Sequence, residues 1–379
     1  MSAGPRLFAN PFTEVTLQRY PARRDEQLRA WCSADLLLLE ALKQLHVERE
    51  HTLIVNDEHG ALTVPFGPKA LWTDSWLAAT AMQRNLAVNQ CQDVPIIWST
   101  SEPCAAQLTC VAMRVPKQLP YFEYQLSVLS RILPPGTGVF AAGMDKHLSP
   151  RTAELMERHL GPTQRHRGQR KARLFQAKTA RQKPPDRAAQ TSYYCDTLGA
   201  ELSALPNVFS RDRLDIGSRF LLQHLDKLTP VERVLDLACG NGVLGLAAFR
   251  LGLARQVVLC DESAMAMQSA QTNADNLFPD AKQHLQFVHG DGLLGYQGEP
   301  AQLILCNPPF HAQHAVDEYV GQRLLEQCAS HLANGGSLCL VANRHLDYAH
   351  TLRRGFANVE KLASNEKFIL WLAHGGTPR

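Results

Sequence analysis

The stretch VLDLACGNGVLGL, from Val234 to Leu246, joins an apolar run to a second apolar run through a glycine-rich loop. Gly240, Gly242 and Gly245 have the spacing GxGxxG. Glycine permits the left-handed backbone of a tight turn and lets the chain approach a bound ligand closely. The stretch therefore predicts a β-strand, a tight turn and the start of an α-helix. The turn itself is either structural or a ligand-binding loop.

After residue 230, apolar runs of strand length alternate with segments of helical pattern. The predicted strands are Val231–Leu237, Gln256–Cys260, His284–His289, Gln302–Cys306, Ser337–Ala342 and Lys367–Ala373, and the predicted helices include Ser263–Asn276, Asp317–Leu332 and Leu346–Phe356. This alternation indicates βαβ units and a parallel sheet covered on both faces. The last strand follows another strand, an order that lets it insert antiparallel at the sheet edge.

The first half of the chain repeats the pattern of the second. LIVNDEHGAL (Leu53–Leu62) has the outline of the glycine stretch, with Gly60 at the place of Gly242. CVAMRVPK (Cys110–Lys117) is an apolar strand followed by a proline, as is LILCNPPF (Leu303–Phe310). We predict an α/β protein with two tandem Rossmann-like domains that arose by duplication. The first copy has lost its glycines and its NPPF, so it is expected to bind no cofactor.

The predicted domains are residues 1–165, a basic strand or linker over residues 166–200, and residues 201–379. Residues 165–187 hold nine Lys or Arg residues and one acidic residue, Asp186. A cluster of this kind is the electrostatic footprint of phosphate contact, although a solvated surface has the same composition. The candidate nucleic-acid contacts are Arg165, Arg167, Arg170, Lys171 and Arg173.

Composition limits the classes of protein that fit. A chain of 379 residues with 45% hydrophobic content is large enough for two domains with filled cores. Its net charge of +3 does not by itself indicate a nucleic-acid partner. No apolar run has the length of a membrane span or a signal peptide, and the ten cysteines include no CxxC pair. We expect a cytoplasmic, monomeric protein without a membrane segment, a metal or a disulfide framework.

Three aspartates lie close to the ends of predicted strands. Asp261 follows the second strand, where a carboxylate can accept hydrogen bonds from ribose hydroxyls in NAD or in S-adenosylmethionine. Asp236 precedes the glycine loop and suits an ammonium group, which the methionine end of S-adenosylmethionine carries. Asp291 suits the exocyclic amine of adenine. Together with NPPF, these positions favour the methyl donor over NAD.

The motif NPPF, Asn307 to Phe310, follows the fourth predicted strand. An exocyclic amine of a nucleobase is a poor nucleophile because its lone pair is delocalised into the ring. The Asn307 side-chain oxygen and the Pro308 carbonyl can accept its two hydrogens, Pro309 stiffens the loop, and Phe310 offers a flat face for the base. Catalysis of this kind is mainly positioning, so the motif predicts amine methylation without a strong base.

These motifs, and their order, resemble the bacterial ribosomal RNA guanine-N2 methyltransferases, a family of class I S-adenosylmethionine-dependent enzymes. The resemblance also covers VFSRDRLDIGSRFLLQHL (Val208–Leu225), CDES, CNPPFH and VANRHLDY. The opening segment TLQRYPARRDEQLRAW (Thr16–Trp31) is similar to large-subunit members of the family. The resemblance implies two methyltransferase domains of which the first is degenerate, S-adenosylmethionine as the cofactor, and guanine 1835 of 23S ribosomal RNA as the target.

The resemblance also implies roles for particular residues. Asp236, Ala238, Gly240 and Gly242 would bind the methionine end of the cofactor, Asp261 the ribose, Asp291 the adenine, and Asn307, Pro308, Pro309 and Phe310 the guanine. Phe209 would wall the cofactor pocket, or else belong to the core. Three other functions stay open: methylation of 16S ribosomal RNA, methylation of a protein glutamine at N5, and a non-enzymatic role in RNA binding and ribosome assembly. Because the base must enter a pocket, protein-free or partly assembled RNA is the expected substrate.

Overall fold

A computed structural model describes residues 6–23, 26–180, 190–308, 315–346 and 348–376. The chain divides into two compact units, Met1–Ala189 and Gln190–Arg379. Each unit is an α/β domain with its own sheet. Among the described residues, no helix is long and apolar enough to cross a membrane.

The first unit begins with a short hairpin and continues with alternating strands and helices. Its strands are β1 (Leu7–Ala9), β2 (Glu14–Thr16), β3 (Thr52–Val55), β4 (Ala70–Thr73), β5 (Ile96–Trp98), β6 (Cys110–Arg114), β7 (Gly138–Met144), β8 (Thr163–Arg165) and β9 (Ala172–Lys178). Its helices are α1 (Ser33–Gln44), α2 (Thr63–Phe66), α3 (Trp76–Val88), α4 (Leu119–Ile132) and α5 (Thr152–Leu160).

The second unit has the same plan. Its strands are β10 (Thr191–Cys195), β11 (Ala200–Ala204), β12 (Val231–Leu237), β13 (Ala254–Asp261), β14 (Leu285–His289), β15 (Ala301–Cys306), β16 (Leu332–Asn343), β17 (Phe356–Ser364) and β18 (Phe368–Gly376). Its helices are α6 (Ile216–Leu222), α7 (Val243–Arg250), α8 (Ala264–Leu277), α9 (Ala315–His331) and α10 (Tyr348–Gly355).

The two seven-stranded sheets have one topology. Their strand orders are β5-β4-β3-β6-β7-β9-β8 and β14-β13-β12-β15-β16-β18-β17. In each sheet the first five strands are parallel, and the last two pair antiparallel. The predicted duplication of an α/β fold is confirmed. The final strand is antiparallel as predicted, but β18 lies between β16 and β17, so the sheet edge is β17.

Both faces of the second sheet are covered, as a parallel sheet requires. On one face, Val234 and Leu303 pack in a core with residues of α6, α7 and α8. On the other, Leu235 and Ile304 pack in a core with residues of α9 and α10. Neighbouring residues of one strand point to opposite faces, which explains why these strands read as continuous apolar runs.

The basic segment, predicted as one strand or linker over residues 166–200, is divided between the two units. Strand β9 pairs with β7 along its whole length and so belongs to the first sheet. The hairpin β10–β11 belongs to the second unit, and the boundary follows Ala189. In β9 the buried Phe175 and Ala177 alternate with more exposed residues. This alternation is the signature of a sheet strand, and the density of charge hid it in the sequence.

Candidate active site

The glycine turn lies between β12 and α7 and has the predicted backbone. Gly240 has φ of 57° and Gly242 has φ of 87°, both in the left-handed region. A Cβ at Gly242 would lie 2.9 Å from Leu259 and 3.2 Å from Ala270. Gly242 is therefore required both for the backbone conformation and for the close approach of α8. Ala238, the first residue after β12, also has a left-handed φ of 58°.

Asp236 is buried beneath the glycine turn. Its Oδ2 accepts a hydrogen bond from the backbone N–H of Gly245 at 2.7 Å, which holds the first turn of α7. Its Oδ1 is buried and has no partner among the described residues. Burial, together with the negative charge of the neighbouring Asp261, raises the pKa of the carboxyl to about 7. An unpartnered carboxylate oxygen at this depth fits a ligand that brings a positive charge.

Asp261, at the end of β13, connects the glycine turn to the next helix. Its Oδ2 accepts from the Gly240 N–H at 2.9 Å, and its Oδ1 accepts from the Ser263 N–H at 3.0 Å. Ser263 caps α8. These two bonds fix the carboxylate at the end of β13, beside the glycine turn. The predicted ribose contact stays a prediction.

Asp291 lies just after β14 and is buried. Both of its oxygens accept from the guanidinium of Arg323 on α9, one of them at 2.6 Å. An adenine amine would have to share an oxygen with that guanidinium. The sequence gives no signal of this pairing, because Arg323 lies on a helix far along the chain. The adenine contact of Asp291 stays a prediction, and its pairing with Arg323 holds β14 to α9.

Asn307 is half-buried directly after β15. Its Nδ2 donates to Asp215 Oδ2 and to Ser218 Oγ, both at 2.9 Å. Its Oδ1 accepts no hydrogen bond from the described residues. Pro308 is buried, and Pro309 and Phe310 lie outside the described residues, so their predicted contacts with a base stay predictions. The end of β15 thus presents an amide oxygen as a hydrogen-bond acceptor.

Phe209 precedes α6 and is 58% exposed. This exposure excludes the interpretation that Phe209 is an ordinary core residue. The next residue, Ser210, has a left-handed φ of 53°, and its hydroxyl donates to the Arg213 carbonyl at 2.7 Å. The short loop therefore presents an aromatic ring at the surface. The predicted role of Phe209 as a pocket wall stays a prediction.

Comparisons with known proteins identify both units. The family model of the RLMG N-terminal domain matches residues 6–181, and the model of the Methyltransferase small domain matches residues 199–371. The ribosomal RNA large subunit methyltransferase G of Alcanivorax borkumensis is 40% identical over 98% of this chain and 97% of its own. The chain belongs to the ribosomal RNA large subunit methyltransferase G family. A member from Pseudomonas fluorescens is 38% identical over 96% of this chain and 98% of its own.

This chain also shares its fold with a solved structure. This is the T. thermophilus 16S rRNA N2 G1207 methyltransferase RsmC in complex with AdoMet and guanosine. It is 22% identical to this chain, has a TM-score of 0.76 and covers 97% of each chain. At this identity the likeness is evidence of the fold alone.

In this member of the family, the first unit has different residues at the positions of the acceptor side chains. Met113 pairs with Val55 in the first sheet as Cys306 pairs with Leu237 in the second. Arg114 is therefore at the position of Asn307. Arg114 is an obligate donor, so the acceptor is lost. Thr73 likewise ends β4 where Asp261 ends β13. These replacements support the prediction that the first unit binds no methyl donor.

Side chains also fill the first unit beside its turn. Asn56, at the position of Ala238, exchanges two hydrogen bonds of 2.9 Å with Gln125 of α4. The hydroxyls of Ser99 and Tyr121 are 2.5 Å apart and join the same network. This network takes up the polar groups that a ligand would otherwise bind.

Asn273, in the middle of α8, is a residue that the sequence analysis missed. Its Nδ2 donates to the carbonyls of Asn241 and Ser203, and its Oδ1 accepts from the Ser203 N–H. It therefore ties the hairpin strand β11 to the glycine turn. Asn85 of α3 makes the equivalent bonds to Gln18 and His59 in the first unit. An asparagine inside each helix, where it is a weak helix former, is the signal that could have revealed both.

The candidate RNA contacts lie on β8, β9 and the turn between them. Arg165, Arg167 and Lys171 are exposed. Arg170 pairs with Glu40 at 2.9 Å, and Arg173 pairs with Asp145 at 3.1 Å. The first three cations are thus the better candidates for phosphate contact. In the described ranges, no group of three or more potential ligand side chains could hold a metal ion.

Proposed function

We propose that this chain transfers a methyl group from S-adenosylmethionine to the exocyclic N2 of a guanine in large-subunit ribosomal RNA, in the cytoplasm. The observation that carries the proposal is the amide of Asn307, whose Nδ2 is held by Asp215 and Ser218 while its Oδ1 accepts no hydrogen bond from the described residues. The names of the curated relatives support ribosomal RNA as the substrate. The solved structure that shares the fold contains AdoMet and guanosine.

The carboxylates and the glycine turn of the second unit fit S-adenosylmethionine. The unpartnered, buried Oδ1 of Asp236 would pair with the ammonium group of the methionine part. Asp261 would accept from the ribose hydroxyls, and the left-handed glycines would let the backbone approach the ligand. When bound, S-adenosylmethionine supplies a methyl group attached to a positively charged sulfur, and the neutral thioether is a good leaving group.

The second unit then needs to orient the guanine amine. The Asn307 Oδ1 accepts one N2 hydrogen, and the Pro308 carbonyl accepts the other. Both bonds shift electron density towards nitrogen and aim its lone pair at the methyl carbon. Phe310 stacks on the base and fixes the plane of the ring. Because these groups act by position and polarisation, the step needs no strongly basic side chain, and a proton leaves N2 after transfer.

The target is guanine 1835 of 23S ribosomal RNA. This assignment rests on the resemblance to large-subunit enzymes. Guanine N2 is engaged in base pairs and lies in the minor groove, so the base must be unpaired or flipped to reach Asn307. Protein-free or partly assembled RNA is therefore the preferred substrate. Equal methylation of intact subunits and naked RNA would contradict this preference.

The exposed cations of β8 and the β8–β9 turn would contact phosphate. Reversing the charge of Arg165 and Arg167 should weaken RNA binding and flatten its dependence on salt, because fewer counterions are then released. The matched control is charge reversal at Arg255, which is exposed in the second unit. Salt titrations of binding to 23S RNA fragments measure both effects. Unchanged binding in the double variant would leave the basic segment without a role in RNA contact.

The function is tested by two measurements. Calorimetry should detect binding of S-adenosylmethionine and no binding of NADH, and tritium from labelled donor should appear in 23S RNA rather than in 16S RNA or protein. Asn307→Ala should lower transfer by about 10²- to 10³-fold with nearly unchanged donor affinity, because the residue contacts the base and not the donor. Label in a protein glutamine would instead support glutamine methylation. RNA binding without transfer would support an assembly factor.

A further inference from the structure

We infer that the first turn of α6 determines which end of the Asn307 amide faces the substrate. Asp215 and Ser218 are positioning residues that hold the amide nitrogen away from the base, and Gly217 keeps the space beside the amide oxygen open. The inference rests on the proposed function, and it adds three residues that neither the motif nor the family match assigns to the reaction.

The partner of the Asn307 nitrogen fixes the orientation of the amide. An ionised carboxylate can only accept hydrogen bonds, so the amide atom 2.9 Å from Asp215 Oδ2 has to be the nitrogen. The Ser218 hydroxyl, also 2.9 Å away, takes the second hydrogen of that nitrogen. Rotating the amide by 180° would place its oxygen against the carboxylate. Two acceptors in contact repel each other, so the hydrogen bond to Asp215 would be lost, whereas the Ser218 hydroxyl could turn and donate to the amide oxygen. Asp215 therefore selects the orientation, and Ser218 adds a second bond to the amide nitrogen.

Asp215 is itself fixed by the helix that it caps. Its Oδ2 accepts from the Ser218 N–H at 2.9 Å, in the manner of an N-cap residue. One carboxylate oxygen therefore serves the helix and the Asn307 amide together. The position of the amide is thus set by the start of a rigid element and not by the loop that carries NPPF. This coupling fits a site that must hold its geometry to within a fraction of an ångström.

The orientation matters because the two ends of an amide have nearly the same shape and opposite hydrogen-bonding roles. Guanine N2 carries two hydrogens and offers no acceptor to a protein donor. An amide oxygen facing it accepts one hydrogen and raises the electron density on nitrogen. If the amide nitrogen faced guanine N2 instead, two hydrogen-bond donors would meet and no hydrogen bond could form. Without Asp215 and Ser218, nothing else in the described chain selects the productive orientation of Asn307.

Gly217 explains how the base can reach the amide oxygen. A Cβ at this position would lie 3.3 Å from Asn307 Oδ1 and 3.0 Å from Asp215 Oδ2. The backbone of Gly217 is not in the left-handed region, so its conformation does not require glycine. Alanine would favour the helix by about 1 kcal/mol. Space beside the Asp215 carboxylate and the Asn307 oxygen is therefore the reason for glycine at this position.

The first unit retains the carboxylate but not the acceptor. Arg114, at the position of Asn307, donates to Asp35 in the first turn of α1. Both units therefore join the end of the fourth parallel strand to a carboxylate at the start of the helix that precedes the sheet. Of the two units, the second has at this position a side chain, Asn307, whose oxygen accepts no hydrogen bond from the described residues.

A double-mutant cycle tests the inference. Asp215→Ser keeps an N-cap side chain, and its hydroxyl can accept from the Ser218 N–H while donating to Asn307, so it permits the rotated amide. Asp215→Ser and Ser218→Ala should each lower kcat about tenfold, and together about 100-fold, with unchanged affinity for S-adenosylmethionine. In an Asn307→Ala background the same changes should have no further effect on kcat, because they act through Asn307. Equal losses in both backgrounds would show that Asp215 and Ser218 are merely structural and would overturn the inference.

Exchange of the two roles provides a rescue. Asn307→Asp alone places two carboxylates in contact and should be nearly inactive. Asn307→Asp combined with Asp215→Ser restores one donor and one acceptor between the positions and keeps the helix cap, so its kcat should be at least tenfold higher than that of Asn307→Asp. Gly217→Ala should lower kcat by tenfold or more without loss of thermal stability. The matched control is Gly295→Ala, where nothing lies within 4 Å of the added Cβ and kcat should not change.

One readout does not depend on activity. In the free protein, NMR should show slow solvent exchange of the Asn307 side-chain hydrogens, and Asp215→Ser with Ser218→Ala should accelerate it by tenfold or more. Fast exchange in the unmodified protein would overturn the inference whatever the substrate is. If the exchange is slow but no methyl reaches RNA, the proposed function fails and the positioning of Asn307 stands.

Discussion

The affinity of the second unit for S-adenosylmethionine should depend on the ionisation of Asp236. The pKa of this buried carboxyl is raised to about 7 in the free protein. A ligand ammonium pairs only with the ionised form, so binding releases a proton whenever the free carboxyl is protonated. At about 1.4 kcal/mol per pKa unit, burial of the charge in the free protein costs about 4 kcal/mol. Pairing with the ammonium offsets part of that cost.

The direction of the pH effect follows from the raised pKa. As pH falls below about 7, a growing fraction of the free protein carries a neutral Asp236, and each pH unit further down weakens binding about tenfold. Between pH 7.5 and pH 5.5 the dissociation constant should rise about 25-fold. The free protein should show the opposite trend in stability. The contribution of this group is full below about pH 4 and is lost as pH rises through about 7.

Calorimetry of S-adenosylmethionine binding over pH 5.5 to 7.5, in buffers of different ionisation enthalpy, measures both the affinity and the released proton. Asp236→Asn keeps an acceptor for the Gly245 N–H but cannot ionise, so its affinity should be weaker at pH 7.5 and independent of pH. A flat profile in the unmodified protein would refute the reasoning. So would an identical slope in Asp236→Asn, which would assign the titration to another group.

Two further predictions concern the scaffold of the site. Gly242→Ala should lower the free energy of unfolding by about 2 to 5 kcal/mol in urea titrations, because left-handed strain adds to overpacking against Leu259. Gly252→Ala, with left-handed φ but open space, should cost only about 1 to 2 kcal/mol, and equal costs would contradict the packing argument. Asn273→Ala should cost about 2 to 4 kcal/mol and weaken binding of S-adenosylmethionine, since it leaves the Asn241 carbonyl unpaired. If calorimetry shows unchanged affinity for S-adenosylmethionine, the contact of Asn273 with the hairpin does not affect the binding site.

Much of the second unit could be predicted from sequence because its signals are local. Apolar runs, the glycine turn and a proline-stiffened motif are each encoded within a few consecutive residues. The left-handed backbone at Gly240 and Gly242 agrees with the motif. Duplication was visible because the two sheets share one topology, which repeats the same order of signals along the chain.

The remaining features depend on contacts between residues far apart in sequence. Arg323 meets Asp291 across 32 positions, and Asp215 meets Asn307 across 92. The helical and strand periodicities of a sequence do not indicate which distant residues pair. The boundary of the basic segment failed for a different reason. In β9 the many charged residues obscure the alternation of the buried Phe175 and Ala177 with more exposed residues. The strand pairs with β7 and so belongs to the first sheet.

Comparison of the two units separates what the fold needs from what the chemistry needs. The hydrogen bonds of Asn85 and Asn273 tie hairpin to turn in both units, and Gly60 and Gly242 share a left-handed backbone. These features therefore belong to the architecture.

The acceptors follow a different rule. The second unit has Asp261 and Asn307 where the first has Thr73 and Arg114, although strand register and neighbouring caps are retained. The first unit has the same fold, so the fold does not require a carboxylate and an amide at these positions. Asp261 also holds the Gly240 and Ser263 N–H groups, and we propose that a ligand accounts for the rest: the Asn307 oxygen fits an amine with hydrogens to donate, beside a positively charged ligand.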